Sequence, residues 1–143
     1  ASRSGDNSVA IGSLCGYINV RARRSKLNLK ALGEKAGCIS ALAGLKGDTP
    51  SMIDIEQSQL DLLMKARRGA AIGCRRTDSD ITIKDSEIKI HAEGEKIAGI
   101  GSAECDGKLC IIGKAPDVTL LAGEDSIPTG YPAAPEAVLT LDK

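Results

Sequence analysis

The chain has 143 residues, 42% of them hydrophobic and 27% charged, and its 19 Lys/Arg balance 19 Asp/Glu to a formal net charge of zero. That length is enough for one domain around one core. The charge balance and the lack of Phe and Trp argue against nucleic-acid binding, which draws on excess positive charge and aromatic stacking. No apolar run of the length expected for membrane insertion is present, and no basic-then-apolar leader is visible at the start.

In chain order, three short apolar segments recur. A Gly/Ala-rich segment carries an isoleucine marker at Ile11, Ile39, Ile72 and Ile100, with separations of 28, 33 and 28 residues. Two segments that alternate apolar and polar follow each marker. They are Ile18/Val20 and Leu27/Leu29, Ile53/Ile55 and Leu60/Leu62, Ile81/Ile83 and Ile88/Ile90, and Leu109/Ile111 and Val118/Leu120. Period-two alternation marks half-buried strands. The long second interval contains residues 43–50, whose Gly, Asp and Pro read as a loop inserted at a corner. Three strands per repeat and no helical period predict an all-β fold, a right-handed parallel β-helix (β-solenoid). It is expected to form a single domain over residues 1–143, with about four three-stranded rungs over residues 7–124. A core limited to small aliphatic side chains suits such a narrow stacked interior.

Alternation also sorts the outward residues into columns. On the second strand these read Asn19, Asp54, Thr82, Cys110 and Arg21, Glu56, Lys84, Ile112. On the third they read Asn28, Asp61, Lys89, Thr119 and Lys30, Leu63, His91, Leu121. The outside of rung four therefore turns apolar at Cys110, Ile112 and Leu121. Residues 125–143, with Tyr131, three prolines and a strand-like 137–141, are expected to form a capping tail or linker that folds back over it. The five cysteines show no CxxC and no metal-ligand spacing, so reduced thiols, no metal and no cofactor are expected.

Candidate chemistry lies at two places. Lys35, Arg68 and Lys96 each stand four residues before their marker, so they stack at one corner about 5 Å apart. With the adjacent Arg67 they suit a sulfate, a phosphate or an acidic polysaccharide. His91 is the only histidine; it lies next to the Asp61–Lys89 pair, so Asp61 is the candidate partner that acid–base chemistry would need, and an ordinary surface histidine is the competing reading because no metal-ligand companions stand near it. Asp78, Asp80, Asp85, Glu87, Asp106 and Asp117 read as turn residues. Residues 1–76 hold 13 Lys/Arg and 6 Asp/Glu, and residues 77–143 the reverse, an asymmetry that suits end-to-end or side-by-side self-association.

The phrases AIGS, GAAIG, AGIGS, DITIKDSEIKIHAEG and DVTLLAG, spread over roughly residues 8–123, resemble the Gly-rich repeats of bacterial surface proteins. The resemblance implies a right-handed parallel β-helix on a secreted or surface-anchored polypeptide, hence an extracellular or cell-surface location, with carbohydrate binding in some members. Two functions follow as expectations. The first is a structural or interaction module of a larger surface or secreted protein, contacting an acidic polysaccharide or another protein domain. The alternative is a carbohydrate-active β-helix protein that binds, hydrolyses or eliminates polysaccharide. No catalytic residue is assigned.

Overall fold

The computed structural model describes residues 7–15, 18–43, 51–74, 79–103, 107–130 and 138–141. Readings that fall on residues 44–50, on Asp78, Cys105, Asp106 and Tyr131, or on the tail at 131–137 and 142–143 lie outside the described residues.

Twelve strands are described: β1 (Asn7–Cys15), β2 (Asn19–Arg23), β3 (Lys26–Ala43), β4 (Ser51–Glu56), β5 (Gln59–Cys74), β6 (Ser79–Lys84), β7 (Glu87–Gly94), β8 (Lys96–Gly101), β9 (Gly107–Ile112), β10 (Asp117–Ala122), β11 (Ile127–Gly130) and β12 (Val138–Leu141). Every pairing is parallel. One sheet runs β1-β3-β5-β7-β10, with β8 joining β5 and β11 joining β8; the other runs β12-β9-β6-β4-β2. The fold is thus an all-β stack of parallel strands, a β-solenoid, with no helix among the described residues. The long strands β3 and β5 each supply two legs of a turn. β5 pairs with β7 through Gln59–Lys65 and with β8 through Arg68–Gly73.

The marker isoleucines lie in register as expected: Ile11 beside Ile39, Ile39 beside Ile72, and Ile72 beside Ile100. Inward residues from all three legs meet in one core. It includes Ile39 and Ile72 from the first leg, Ile53, Ile55, Ile81 and Ile83 from the second, and Leu60, Leu62 and Ile90 from the third. Each is almost fully buried, and burying such a side chain stabilises by about 1.5–3 kcal/mol. On the first leg the strands approach closely. A Cβ on Gly73 would strike the carbonyl of Gly101, and one on Gly101 the carbonyl of Gly130, and both glycines have φ in the positive region (+139° and +117°). Ser40 stands in this same column, with its hydroxyl buried and unpartnered among the described residues.

The corner between second and third legs is built from a repeated device. Arg24, Gln57 and Asp85 stack with φ of 48°, 49° and 51°, and Gly113 takes the same place in rung four with φ of 96°. A non-glycine residue in this left-handed region costs roughly 1–2 kcal/mol. The backbone is nevertheless fully used. Arg24 N–H donates to Glu56 O (3.0 Å), Gln57 N–H to Lys84 O (2.9 Å) and Asp85 N–H to Ile112 O (2.8 Å). A serine follows each of the three. Ser25 N–H donates to Ser58 Oγ (3.2 Å) and Ser58 N–H to Ser86 Oγ (3.1 Å). The hydroxyls donate in turn to Glu56 O (2.9 Å) and Lys84 O (3.0 Å). Each hydroxyl thereby ties one rung to the next across a bend where ladder hydrogen bonding would otherwise lapse.

This corner corrects two registers. In rung one, Val20 and Ala22 stand beside Ile53 and Ile55, whereas Ile18 and Val20 were expected there. The outward columns are Arg21–Asp54 and Arg23–Glu56, which close as ion pairs at 3.8 and 3.6 Å. Alignment of Arg24 with Gln57 sets this register, and the small inward Ala22 is hard to distinguish from a polar position by pattern alone. In rung four, Gly113 aligns with Asp85 and puts Val118 beside Ile90 and Leu120 beside Ala92. The third-leg columns are therefore Asn28–Asp61–Lys89–Asp117, Lys30–Leu63–His91–Thr119 and Leu32–Lys65–Glu93–Leu121.

The described tail strands extend the stack rather than lying over its outside. β11 pairs with β8, Thr129 beside Ile100, and β12 pairs with β9, Leu139 beside Cys110. Leu121 stays 58% exposed. An edge strand's row of unpaired N–H and C=O groups is a strong demand for another strand, and β11 and β12 meet it on two of the three legs.

The serine bridge has a measurable weight. Ser58→Ala removes a buried hydroxyl that accepts from Ser25 and donates to Glu56, so urea denaturation should show a loss of about 1–3 kcal/mol. Adding a Cβ at Gly73 combines a backbone clash with an unfavourable φ, and Gly73→Ala should cost at least ~2 kcal/mol in the same assay.

Candidate functional site

The corner between third and first legs gathers the basic column. Lys35, Arg68 and Lys96 are in register and half-buried, with strand spacing near 4.8 Å. Lys35 and Lys96 form no ion pair with another described residue. Backbone bonds fix the bend: Glu95 N–H donates to Arg67 O (3.1 Å) and Gly123 N–H to Glu95 O (3.1 Å). Ser126 makes a hydroxyl bridge of a different form, accepting from Ile97 N–H (3.0 Å) and donating to Glu95 O (3.0 Å), both in the rung before it.

Arg67 is placed beside this column but is engaged elsewhere. Its Nε donates to Glu95 Oε2 at 2.7 Å and its Nη1 lies 3.5 Å from Glu34 Oε1. The Glu95 hydrogen bond, then the charges of Glu95 and Glu34, raise its pKa further above the ordinary arginine value. Glu34–Arg67–Glu95 is thus an alternating ladder next to an all-basic one. The corner offers cationic heads at rung spacing, a pattern suited to the charges of an extended anion.

His91 and Asp61 are not brought together. His91 Nε2 donates to Glu93 Oε2 at 3.1 Å, two residues along the same outward row. Glu93 also meets Lys65 Nζ at 3.5 Å. The His91 hydrogen bond and the Lys65 charge hold the Glu93 carboxyl below the usual glutamate range. The His91 side chain is 42% exposed, and its column neighbours are Leu63 and Thr119. Asp61 instead lines a depression with Lys26, Leu27, Asn28 and Gln59. A second depression adjoins it at the second–third corner, lined by Arg24, Ser25, Lys26, Gln57, Ser58, Gln59, Asp85 and Glu87. Pattern reading missed this polar corner. Its signal was the recurring Ser that precedes an apolar pair by two residues, in Arg24-Ser25-Lys26-Leu27, Gln57-Ser58-Gln59-Leu60 and Asp85-Ser86-Glu87-Ile88.

Among the described residues no group of three His, Cys, Asp or Glu is placed to hold a metal ion, and no helix is long and apolar enough to cross a membrane. Cys38 and Cys110 are free thiols. Burial pushes the Cys38 thiol up to about 12, against weaker lowering by the Leu63 and Ala31 backbones. Comparison with known proteins finds no matching family model, no matching curated protein and no matching solved structure.

Two outcomes check this description. At pH 8 a thiol reagent should label Cys110 in the native protein and Cys38 only after unfolding, read by peptide mapping, because the thiolate is the reactive form. Glu93 binds its proton less tightly folded than unfolded. Its contribution to stability is complete above the ordinary glutamate pKa and disappears as pH falls through the lowered folded value. Carboxyl NMR titration of His91→Ala should show the Glu93 midpoint moving upward.

Proposed function

We propose that the chain is a structural and interaction module of a secreted or surface protein, a solenoid that presents a cationic corner to an anionic partner. The supporting observation is the Lys35–Arg68–Lys96 register, which sets three basic side chains at strand spacing. The described outward acids and bases pair along rows and columns, as in Arg21–Asp54, Arg23–Glu56 and Lys65–Glu93. That arrangement favours holding a partner over turning one over. The resemblance to Gly-rich bacterial surface repeats supports the extracellular setting. An acidic polysaccharide is the partner whose repeating charge best matches repeating rungs.

The test is binding of oligogalacturonate and heparin fragments to the intact chain. Lys35→Ala/Arg68→Ala/Lys96→Ala should weaken binding by at least about tenfold, or 1.4 kcal/mol, and flatten its salt dependence. Binding that ignores the triple change removes the basic corner from the function. The carbohydrate-active alternative draws support from the His91–Glu93 contact alone. Release of unsaturated or reducing ends that is lost in His91→Ala would favour that reading instead.

A further inference from the structure

The third legs of the four rungs form one face, β3-β5-β7-β10, with its outward side chains in register. Apolar side chains interrupt its charges. Leu32 and Leu63 are half-buried, and Leu121 is 58% exposed. Asp61 and Lys89 are exposed and stand side by side. Neither forms an ion pair with another described residue, so both charges are open to a partner. Four strands at about 4.8 Å and seven residues at about 3.3 Å make a face of roughly 19 by 23 Å.

We propose that this face docks on the same face of a second copy, with the two coils antiparallel. A two-fold axis between the copies, along the strand direction and midway between rungs two and three, exchanges rung one with rung four and rung two with rung three. Each column then meets itself in reverse order. From the observed register, Asp61 faces Lys89 of the second copy and Lys65 faces its Glu93. Leu32 faces its Leu121, Leu63 its His91, Asn28 its Asp117 and Lys30 its Thr119. No like charges meet, and the symmetry makes every contact twice. The charge of the whole chain favours the same orientation. Residues 1–76 hold 13 Lys/Arg and 6 Asp/Glu, and residues 77–143 the reverse, so antiparallel coils lay each basic half against an acidic half. The parallel alternative, with the axis along the coil, sets Lys30 against Lys30 and the two basic halves together. The face is small beside a permanent interface, which sets the dissociation constant on the order of 10–100 µM. This self-association goes beyond the anionic-partner reading and uses none of Lys35, Arg68 and Lys96.

Sedimentation equilibrium of the intact chain, from about 1 µM to about 1 mM, tests the proposal. A monomer–dimer equilibrium that weakens with added salt is expected. Leu63→Arg and Leu121→Lys should each weaken it about tenfold or more, since each change counts twice. Leu121 is exposed, so Leu121→Lys should leave the melting temperature unchanged. Lys89→Glu alone and Asp61→Lys alone should also weaken the dimer, whereas an equimolar mixture of the two variants should associate again. In the mixture the native Asp61 of one chain faces the native Lys89 of the other, and the introduced carboxylate faces the introduced amine. A parallel alignment would set that carboxylate against Glu93 and would not be rescued. The proposal is overturned by a chain that stays monomeric at about millimolar concentration, by a dimer that ignores both leucine substitutions, or by a mixture that fails to associate. Lys35→Ala/Lys96→Ala should leave the dimer intact. Its loss in that variant would move the interface to the basic corner and also overturn the proposal, whereas loss of oligogalacturonate binding there bears on the anionic-partner reading alone.

Discussion

A coil of parallel strands bends several times per turn, and each bend threatens to strand backbone N–H groups away from a partner. Here the hydroxyl of a serine in one rung accepts from the backbone of the rung before it, and donates to a carbonyl of its own rung. A related bridge stands at another corner, where Ser126 accepts from Ile97 N–H and donates to Glu95 O, both in the rung before it. With these bonds in place, residues on adjacent rungs have nowhere to slip. The aliphatic core follows from that register, because Ile53, Ile81 and Leu109 can stack only if the corners before and after them are aligned.

Register also organises the outside. A charge in one rung has a predetermined neighbour above and below, so outward columns become rows of attraction or repulsion. Glu34–Arg67–Glu95 and Arg23–Glu56–Lys84 alternate in sign, so each charge has an opposite neighbour. Lys35–Arg68–Lys96 keeps one sign through three rungs. Surface pairs of this kind contribute little to stability individually, so their value lies in what they present. Because rungs stack in chain order, the basic first half and acidic second half of the chain also become the two ends of one axis.

The stacking and the basic column were legible in the amino-acid pattern because both can be counted from a single strong marker, the isoleucine of each Gly/Ala-rich segment. The failures share a cause. On the second leg of rung one the inward residue is Ala22, which carries too little hydrophobic signal to outweigh Ile18. In rung four Pro116 occupies the place of Ile88, and apolar alternation starts two residues late. The His91 partner was sought in neighbouring columns, whereas Glu93 lies along the same strand, where period two puts it on the same side. The polar corner was invisible for a different reason. Arg and Gln are poor indicators of a left-handed turn, and the hydroxyl bridges that support it join residues 28 and 33 positions apart.

Rung-to-rung bonding also gives the molecule a mechanical direction. Each rung is held by its immediate neighbours and by little else, as in other one-dimensional repeats. A pull that separates the two ends along the axis opens one interface at a time, and each step breaks only the bonds of a single turn. A pull across the axis shears many strands at once. Tethered by a side, the solenoid is a stiff bar; tethered by its ends, it is a zipper that yields rung by rung.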